Sequence, residues 1–116
     1  MRVIFGLVLA LALMACAEGE AAADPVATSE VDLPPSYRFE PEAITVPVDT
    51  AVTWTNNDNF THSVRLVDDG NVVLNMAPGE SVSFTFDEPG LHAYDCSFHA
   101  TDMKGTVLVT DADPAG

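Results

Sequence analysis

Ser81-Val82-Ser83-Phe84-Thr85-Phe86-Asp87-Glu88-Pro89-Gly90 decides how this chain folds. Val82, Phe84 and Phe86 fall on one side of an extended backbone, and Ser81, Ser83 and Thr85 on the other. Period-two alternation in β-branched and aromatic residues is the signal of a half-buried strand. Asp87 to Gly90 then supplies turn chemistry. Leu91-His92-Ala93-Tyr94-Asp95 follows as a further strand, so residues 80–86 and 91–95 are expected to form a hairpin. Outward from there the pattern repeats. Val52 and Trp54 alternate with Thr53 and Thr55, and Ile44, Val46 and Val48 alternate with Thr45 and Pro47. Thr106-Val107-Leu108-Val109-Thr110 reads as a buried-type run. Asn56-Asn57-Asp58-Asn59, Asp68-Asp69-Gly70-Asn71 and Ala77-Pro78-Gly79 are turn segments between them. No window of residues 36–110 carries a sustained helical period. The expectation is an all-β fold, a sandwich of six to eight short strands.

The ends of the chain read differently. Its 116 residues are enough for one small domain. Met1-Arg2 and the apolar run Val3 to Met14 read as a secretory signal, short for a bilayer span and with no charged stop-transfer flank after it. The run ends Leu13-Met14-Ala15-Cys16, which resembles the lipobox of bacterial lipoproteins, where the Cys is diacylated and becomes the N-terminus. The alternative is an ordinary signal peptide with Cys16 incidental. Residues 1–15 are therefore expected to be a lipoprotein signal peptide. Residues 16–35 are expected to be a lipidated N-terminus and flexible acidic linker, being small, acidic and proline-punctuated with no aromatic. Asp111 to Gly116 reads as a loose tail. Residues 36–110 remain as the folded domain, small enough for a bound metal to help stabilise it.

Charge narrows the partners. Four Lys plus Arg against 18 Asp plus Glu give a formal charge of −14, which becomes −15 when Arg2 leaves with the signal. So few cations exclude nucleic acid and a basic patch for anionic lipid. They suit a basic partner instead.

The chemistry lies in Tyr94-Asp95-Cys96-Ser97-Phe98-His99-Ala100-Thr101-Asp102-Met103-Lys104-Gly105. A thiolate, an imidazole and a thioether stand within eight residues, between the last two strands. Thr61-His62-Ser63-Val64 opens an earlier strand after the Asn-rich loop. A Cys with two His is the equatorial set of a blue-copper site, and a Met at longer range is its axial ligand. Each residue also has a plainer reading: Cys96 as a small buried hydrophobe, His62 as a solvated loop residue, Met103 as core filler. Zinc would accept Cys and two His with water or a carboxylate, and Asp102 is nearby. The softness of a Cys–His–Met set favours copper in both oxidation states, with zinc a competitor. His92 reads as a rim residue; Trp54, Phe84 and Phe86 read as core.

With these residues in view, the chain resembles a cupredoxin of the plastocyanin, amicyanin and pseudoazurin group. The match runs from Phe39-Glu40-Pro41-Glu42-Ala43-Ile44-Thr45-Val46 through Val52-Thr53-Trp54-Thr55-Asn56 to His62-Ser63-Val64. It continues with Ala77-Pro78-Gly79-Glu80, Phe84-Thr85-Phe86, Pro89-Gly90, Cys96, His99, Met103, Gly105 and Val107. The resemblance implies a Greek-key β-sandwich that binds one copper ion, cycles it between Cu(I) and Cu(II), and carries single electrons. It implies His62, Cys96, His99 and Met103 as ligands. It implies Ser63 and Ser97 as residues that lock the two ligand loops together. It also implies His99 as the electron port, inside an apolar patch to which Met76, Pro78, Phe98 and Ala100, with Phe60 beside them, are assigned. Two features depart from the pattern. The His99-to-Met103 spacing lies between those of plastocyanin and amicyanin, which moves the axial sulfur. Asp95 stands where the family often has an aromatic, and an acid beside the thiolate favours the more positive, oxidised copper.

The expected function is thus a single-electron carrier, not an enzyme. The alternative is a copper-binding protein that buffers or delivers the metal outside the cytoplasm. A site with one thiolate and no Met-rich or His-rich flank favours the carrier. The expected protein is a monomer, periplasmic, held through Cys16 to a bacterial membrane. Ala17, in place of the Asp that retains lipoproteins at the inner membrane, points to the outer one. A basic cytochrome or a membrane-bound oxidoreductase is the expected partner.

Overall fold

The computed structural model describes residues 24–68 and 71–111. The stretch expected to be a signal peptide and Cys16 lie outside the described residues, as do 112–116 of the tail. Nine strands form among the described residues: β1 (Val26–Ala27), β2 (Glu30–Leu33), β3 (Ala43–Pro47), β4 (Thr50–Asn56), β5 (His62–Leu66), β6 (Val73–Met76), β7 (Ser81–Phe86), β8 (Gly90–Asp95) and β9 (Lys104–Thr110). They make two layers, a six-stranded sheet in the order β1-β3-β9-β8-β5-β6 and a three-stranded sheet β2-β4-β7. This is the expected all-β sandwich, with nine strands in place of six to eight because β1 and β2 form in the segment expected to be linker.

The alternation seen in the sequence sets the two faces of each strand. In the small sheet Val52 pairs with Phe84 and Trp54 with Val82, turning these side chains toward the core. The intervening hydroxyls stay outside and pair across the strands, Thr53 with Ser83 and Thr55 with Ser81, each at 2.8 Å. In the large sheet Ile44, Val46, Val107 and Val109 face inward. The strand β9 is central yet alternates, with Leu108 37% exposed, so the buried-type run is covered on one face only. Trp54, Tyr94 and Phe39 meet edge to face at 5.3 and 4.7 Å across the core.

Two expectations change. The segment from residue 24 to 35 does not behave as a linker throughout. β2 runs parallel to β4, with Val31 opposite Trp54 and Leu33 opposite Asn56, and Val31 and Leu33 are buried. Its Glu-Val-Asp-Leu alternation completes the small sheet, and burial of two apolar side chains outweighs the acidic composition. β7 and β8 also form no hairpin. β7 pairs with β4 and β8 with β5 and β9, so the 87–90 turn carries the chain from one sheet to the other. Gly90, at φ +128, takes a conformation that few side chains tolerate there.

Turn chemistry closes the end of the sandwich where Cys96 lies. At Ala77-Pro78-Gly79-Glu80 the Glu80 amide donates to the Ala77 carbonyl at 3.0 Å, with Gly79 at φ +88. That is a type II turn, with Pro and Gly at the positions it favours. The Asn56 side chain ties this turn to the neighbouring loop. Its Nδ2 donates to Phe60 O at 2.8 Å and Met76 O at 3.0 Å, and its Oδ1 accepts from the Asp58 amide at 2.9 Å.

Candidate metal centre

Cys96 is the first residue after β8. The chain beyond it coils into tight turns: His99 N donates to Cys96 O at 3.0 Å, and Asp102 N and Met103 N both donate to His99 O at 2.9 Å. Cys96 N closes the loop onto Met103 O at 3.1 Å. Three residues between His99 and Met103 are thus enough to bring the Met103 backbone back to Cys96, and both residues are fully buried. His62 opens β5, opposite Met76 of β6, and its ring is fully buried as well.

His62 is aimed by Asp58. Its Nε2 lies 2.7 Å from Asp58 Oδ2, and Asp58 is itself buried. An ionised carboxylate only accepts, so Nε2 carries the proton and Nδ1 keeps its lone pair. That Nδ1 stands 3.8 Å from Cys96 Sγ. The sum of a metal–nitrogen and a metal–sulfur bond is about 4.4 Å, so an ion can bridge the two at an open angle. The hydrogen bond from His62 also holds the Asp58 carboxyl below its ordinary range, against the opposing effect of burial.

The thiol is held from the β5 side. Ser63 N donates to Cys96 Sγ at 3.4 Å, and Ser63 Oγ lies 3.9 Å from it. Ser63 Oγ accepts the Ser97 amide at 2.8 Å and pairs with Ser97 Oγ at 2.8 Å. The two serines therefore hydrogen-bond across the two loops. Asp95 does not face the thiolate as a bare acid. Arg65 Nε donates to its Oδ1 at 2.9 Å and Nη2 to its Oδ2 at 3.1 Å, and this pairing raises the Arg65 pKa above its ordinary value. A bidentate, partly buried guanidinium offsets the acid's charge.

His99 is half-buried, its ring 5.7 Å from that of His62. Among the described residues no three His, Cys, Asp or Glu side chains are gathered to coordination range as they stand. Of the expected surface patch, Phe98 is 55% and Phe60 56% exposed, Pro78 is exposed and Ala100 half-buried. Met76 is not part of it. The alternation of β6 turns its side chain inward, where it is fully buried opposite His62. Sequence reasoning passed over Asp58, Asn56, Arg65 and Tyr37. The Asp-x-x-x-His spacing was present, but the segment read only as a turn. Tyr37 contacts His99 at 4.5 Å between ring centroids, from a segment assigned to the domain's edge.

A family model described as copper binding proteins, plastocyanin/azurin family, matches residues 30–110. The chain belongs to this family. The cupredoxin is 38% identical over 84 residues to a plastocyanin of Scenedesmus fuscus, a match covering 61% of this chain and 85% of that one. It is 28% identical over 90 residues to an amicyanin-alpha of Methylorubrum extorquens, covering 73% and 74% of the two chains. Among solved structures it is similar to a purple cupredoxin from Nitrosopumilus maritimus, with TM-score 0.60 and 28% identity, covering 70% of this chain and 98% of that one. A copper-containing nitrite reductase from Thermus scotoductus also matches, with TM-score 0.59 and 29% identity, covering 76% of this chain but 23% of that longer one. Cupredoxins bind one copper ion. The residues here fit it: a buried sulfur and a buried imidazole already spaced for a shared ion, with a buried thioether on the same loop, are the soft donors copper takes.

Proposed function

We propose that this cupredoxin is a single-electron carrier working outside the cytoplasm, its copper held by His62, Cys96, His99 and Met103. The observation that carries the reading is the fully buried Cys96, 3.8 Å from His62 Nδ1. Copper, when bound, supplies a one-electron couple between Cu(I) and Cu(II). The chain's own part is to hold the donors still. Asp58 fixes the His62 ring, Ser63 and Ser97 fix the sulfur, and the 96–103 turns fix Met103 against Cys96. Rigid donors need little rearrangement between oxidation states. Buffering or delivery calls for donors that a recipient can reach, whereas Cys96, His62 and Met103 are each 0% exposed. Half-buried His99 is the edge from which an electron leaves, with Phe98, Ala100 and Pro78 as the docking surface around it. Small, weak contacts of this kind suit redox encounters.

The copper(II) protein should absorb intensely in the visible, blue or green, through Cys96 thiolate-to-copper charge transfer. Cys96→Ser should abolish the band while the metal-free chain still folds. A colourless wild-type protein at full copper occupancy overturns the reading. We place the protein in the periplasm, tethered through acylated Cys16. Cys16→Ala should release it from the membrane fraction or leave it unprocessed, and unchanged fractionation refutes the anchor.

A further inference from the structure

Residues 34–38 leave the small sheet and return to it as one closed excursion. Its ends are pinned: Asp32 and Glu40 exchange backbone hydrogen bonds at 2.8 Å each, and Leu33 O accepts the Asn57 amide at 3.0 Å. Leu33 and Phe39, on either side, are buried. Between them Ser36 and Tyr37 sit at φ 97 and 56. Two successive non-glycine residues in the left-handed region are disfavoured by contact of Cβ with the backbone. Such conformations persist only where surrounding structure enforces them, and they gather at ligand sites. The product of this one is the position of Tyr37. Its ring lies 4.5 Å from that of His99, tilted by 53°, and meets the His62 ring edge-on at 5.9 Å. Phe60 stacks on it at 6.0 Å. Tyr37 is still 40% exposed, so it stands at the solvent boundary against both imidazoles.

We propose that Tyr37 is the outer wall of the metal centre, a positioning residue that holds the His99 ring and keeps water from the ion. This rests on His99 being a ligand, as proposed above. The need arises from how unequally the two imidazoles are supported. The His62 ring is buried and hydrogen-bonded to Asp58. The His99 ring is half-buried, sits on a loop of turns, and among the described residues receives ring contacts and no hydrogen bond. A flat aromatic against it restricts its rotation by packing, as a carboxylate restricts the other by hydrogen bonding. A ring at the mouth of the site also occupies the path by which water or a chelator reaches the ion.

The test compares wild type, Tyr37→Phe and Tyr37→Ala, with Tyr37→Leu in place of the last if it fails to fold. Release of copper to an excess of a copper(I) chelator should rise about tenfold or more in Tyr37→Ala, the scale seen when support for a metal ligand is removed. Its charge-transfer band should shift. Tyr37→Phe should stay within about twofold of wild type, since the ring and not the hydroxyl is the wall. In the metal-free protein, proton NMR signals of the His99 ring should broaden in Tyr37→Ala alone. Wild-type release and an unchanged band in Tyr37→Ala overturn the proposal. So does a lowered metal-free melting temperature with no change in release, the mark of a purely structural role. A Tyr37→Phe variant as impaired as Tyr37→Ala also overturns it. If the wild type itself lacks the visible band, the ligand assignment fails; if the wild type is coloured and Tyr37→Ala changes neither the band nor copper release, the wall alone fails.

Discussion

Asp58 sets a buried carboxylate directly against His62, one of the proposed ligands. Its carboxylate accepts a hydrogen bond from His62 Nε2 at 2.7 Å inside the protein, whereas Asp95 is answered by Arg65 at 2.9 Å. A carboxylate behind a ligand imidazole favours the more positive copper(II). Asp58→Asn keeps an acceptor oxygen and removes the charge, so the reduction potential should rise by tens of millivolts. About 59 mV corresponds to each tenfold change in the relative affinity for the two oxidation states. An unchanged potential in a voltammetric titration would show that the charge does not reach the metal. The same variant reports on acid stability. The folded-state pKa of Asp58 is depressed, so its hydrogen bond stabilises the metal-free domain above the ordinary carboxylate range. That contribution is lost as pH falls through the lowered value. Metal-free Asp58→Asn should therefore lose less stability on acidification than wild type, as read by urea midpoints along a pH series. The residue types at this site were legible; the direction of Asp58 was not, because a four-residue spacing fixes no contact outside a helix.

At the scale of elements, Tyr94 of β8 and Gly105 of β9 show why one glycine belongs in a strand. They pair directly across the antiparallel ladder. A methyl group at Gly105 would stand 2.4 Å from both Cζ and Oη of the phenol, and Tyr94 is enclosed by Trp54 and Phe39. The phenol cannot swing away without disturbing that cluster. Burial raises its pKa well above the ordinary phenol value. Trp54 Nε1 and Tyr94 Oη lack a well-formed hydrogen bond, although the indole is close enough to oppose that rise. Gly105→Ala should destabilise the domain by about 1–3 kcal/mol, the usual effect of overpacking. At roughly 4–8 °C per kcal/mol for a domain this size, differential scanning calorimetry resolves that loss. An unshifted melting temperature would mean the ring relaxes freely. The strand itself was readable from period-two alternation. Its tight seam with Tyr94 was not, since which residues oppose each other depends on register.

Over the whole molecule, charge is the dominant feature. A chain of formal charge −14 presents little to repel a cation and much to attract one. Electron transfer to a basic redox protein should slow as salt rises, most steeply below about 0.1 M, where the Debye length exceeds roughly 10 Å. Stopped-flow rates with a cationic and an anionic partner should then separate. If both show the same salt dependence, the acidity does not steer encounter.

Local chemistry in the sequence determined most strands of residues 36–110, the Pro78-Gly79 turn, the scarcity of basic residues and the residue types that stand near Cys96. Alternation and donor softness act between near neighbours and survive without knowledge of the fold. Tertiary structure alone decided that Val31 and Leu33 complete a sheet, that β7 and β8 part into different layers, and that Met76 faces inward. It also brought Asp58 to His62, Arg65 to Asp95 and Tyr37 to His99. Each of these depends on which strand lies beside which. Composition does not encode that adjacency; burial of apolar faces and pairing of backbone groups select it when the two sheets close on one core.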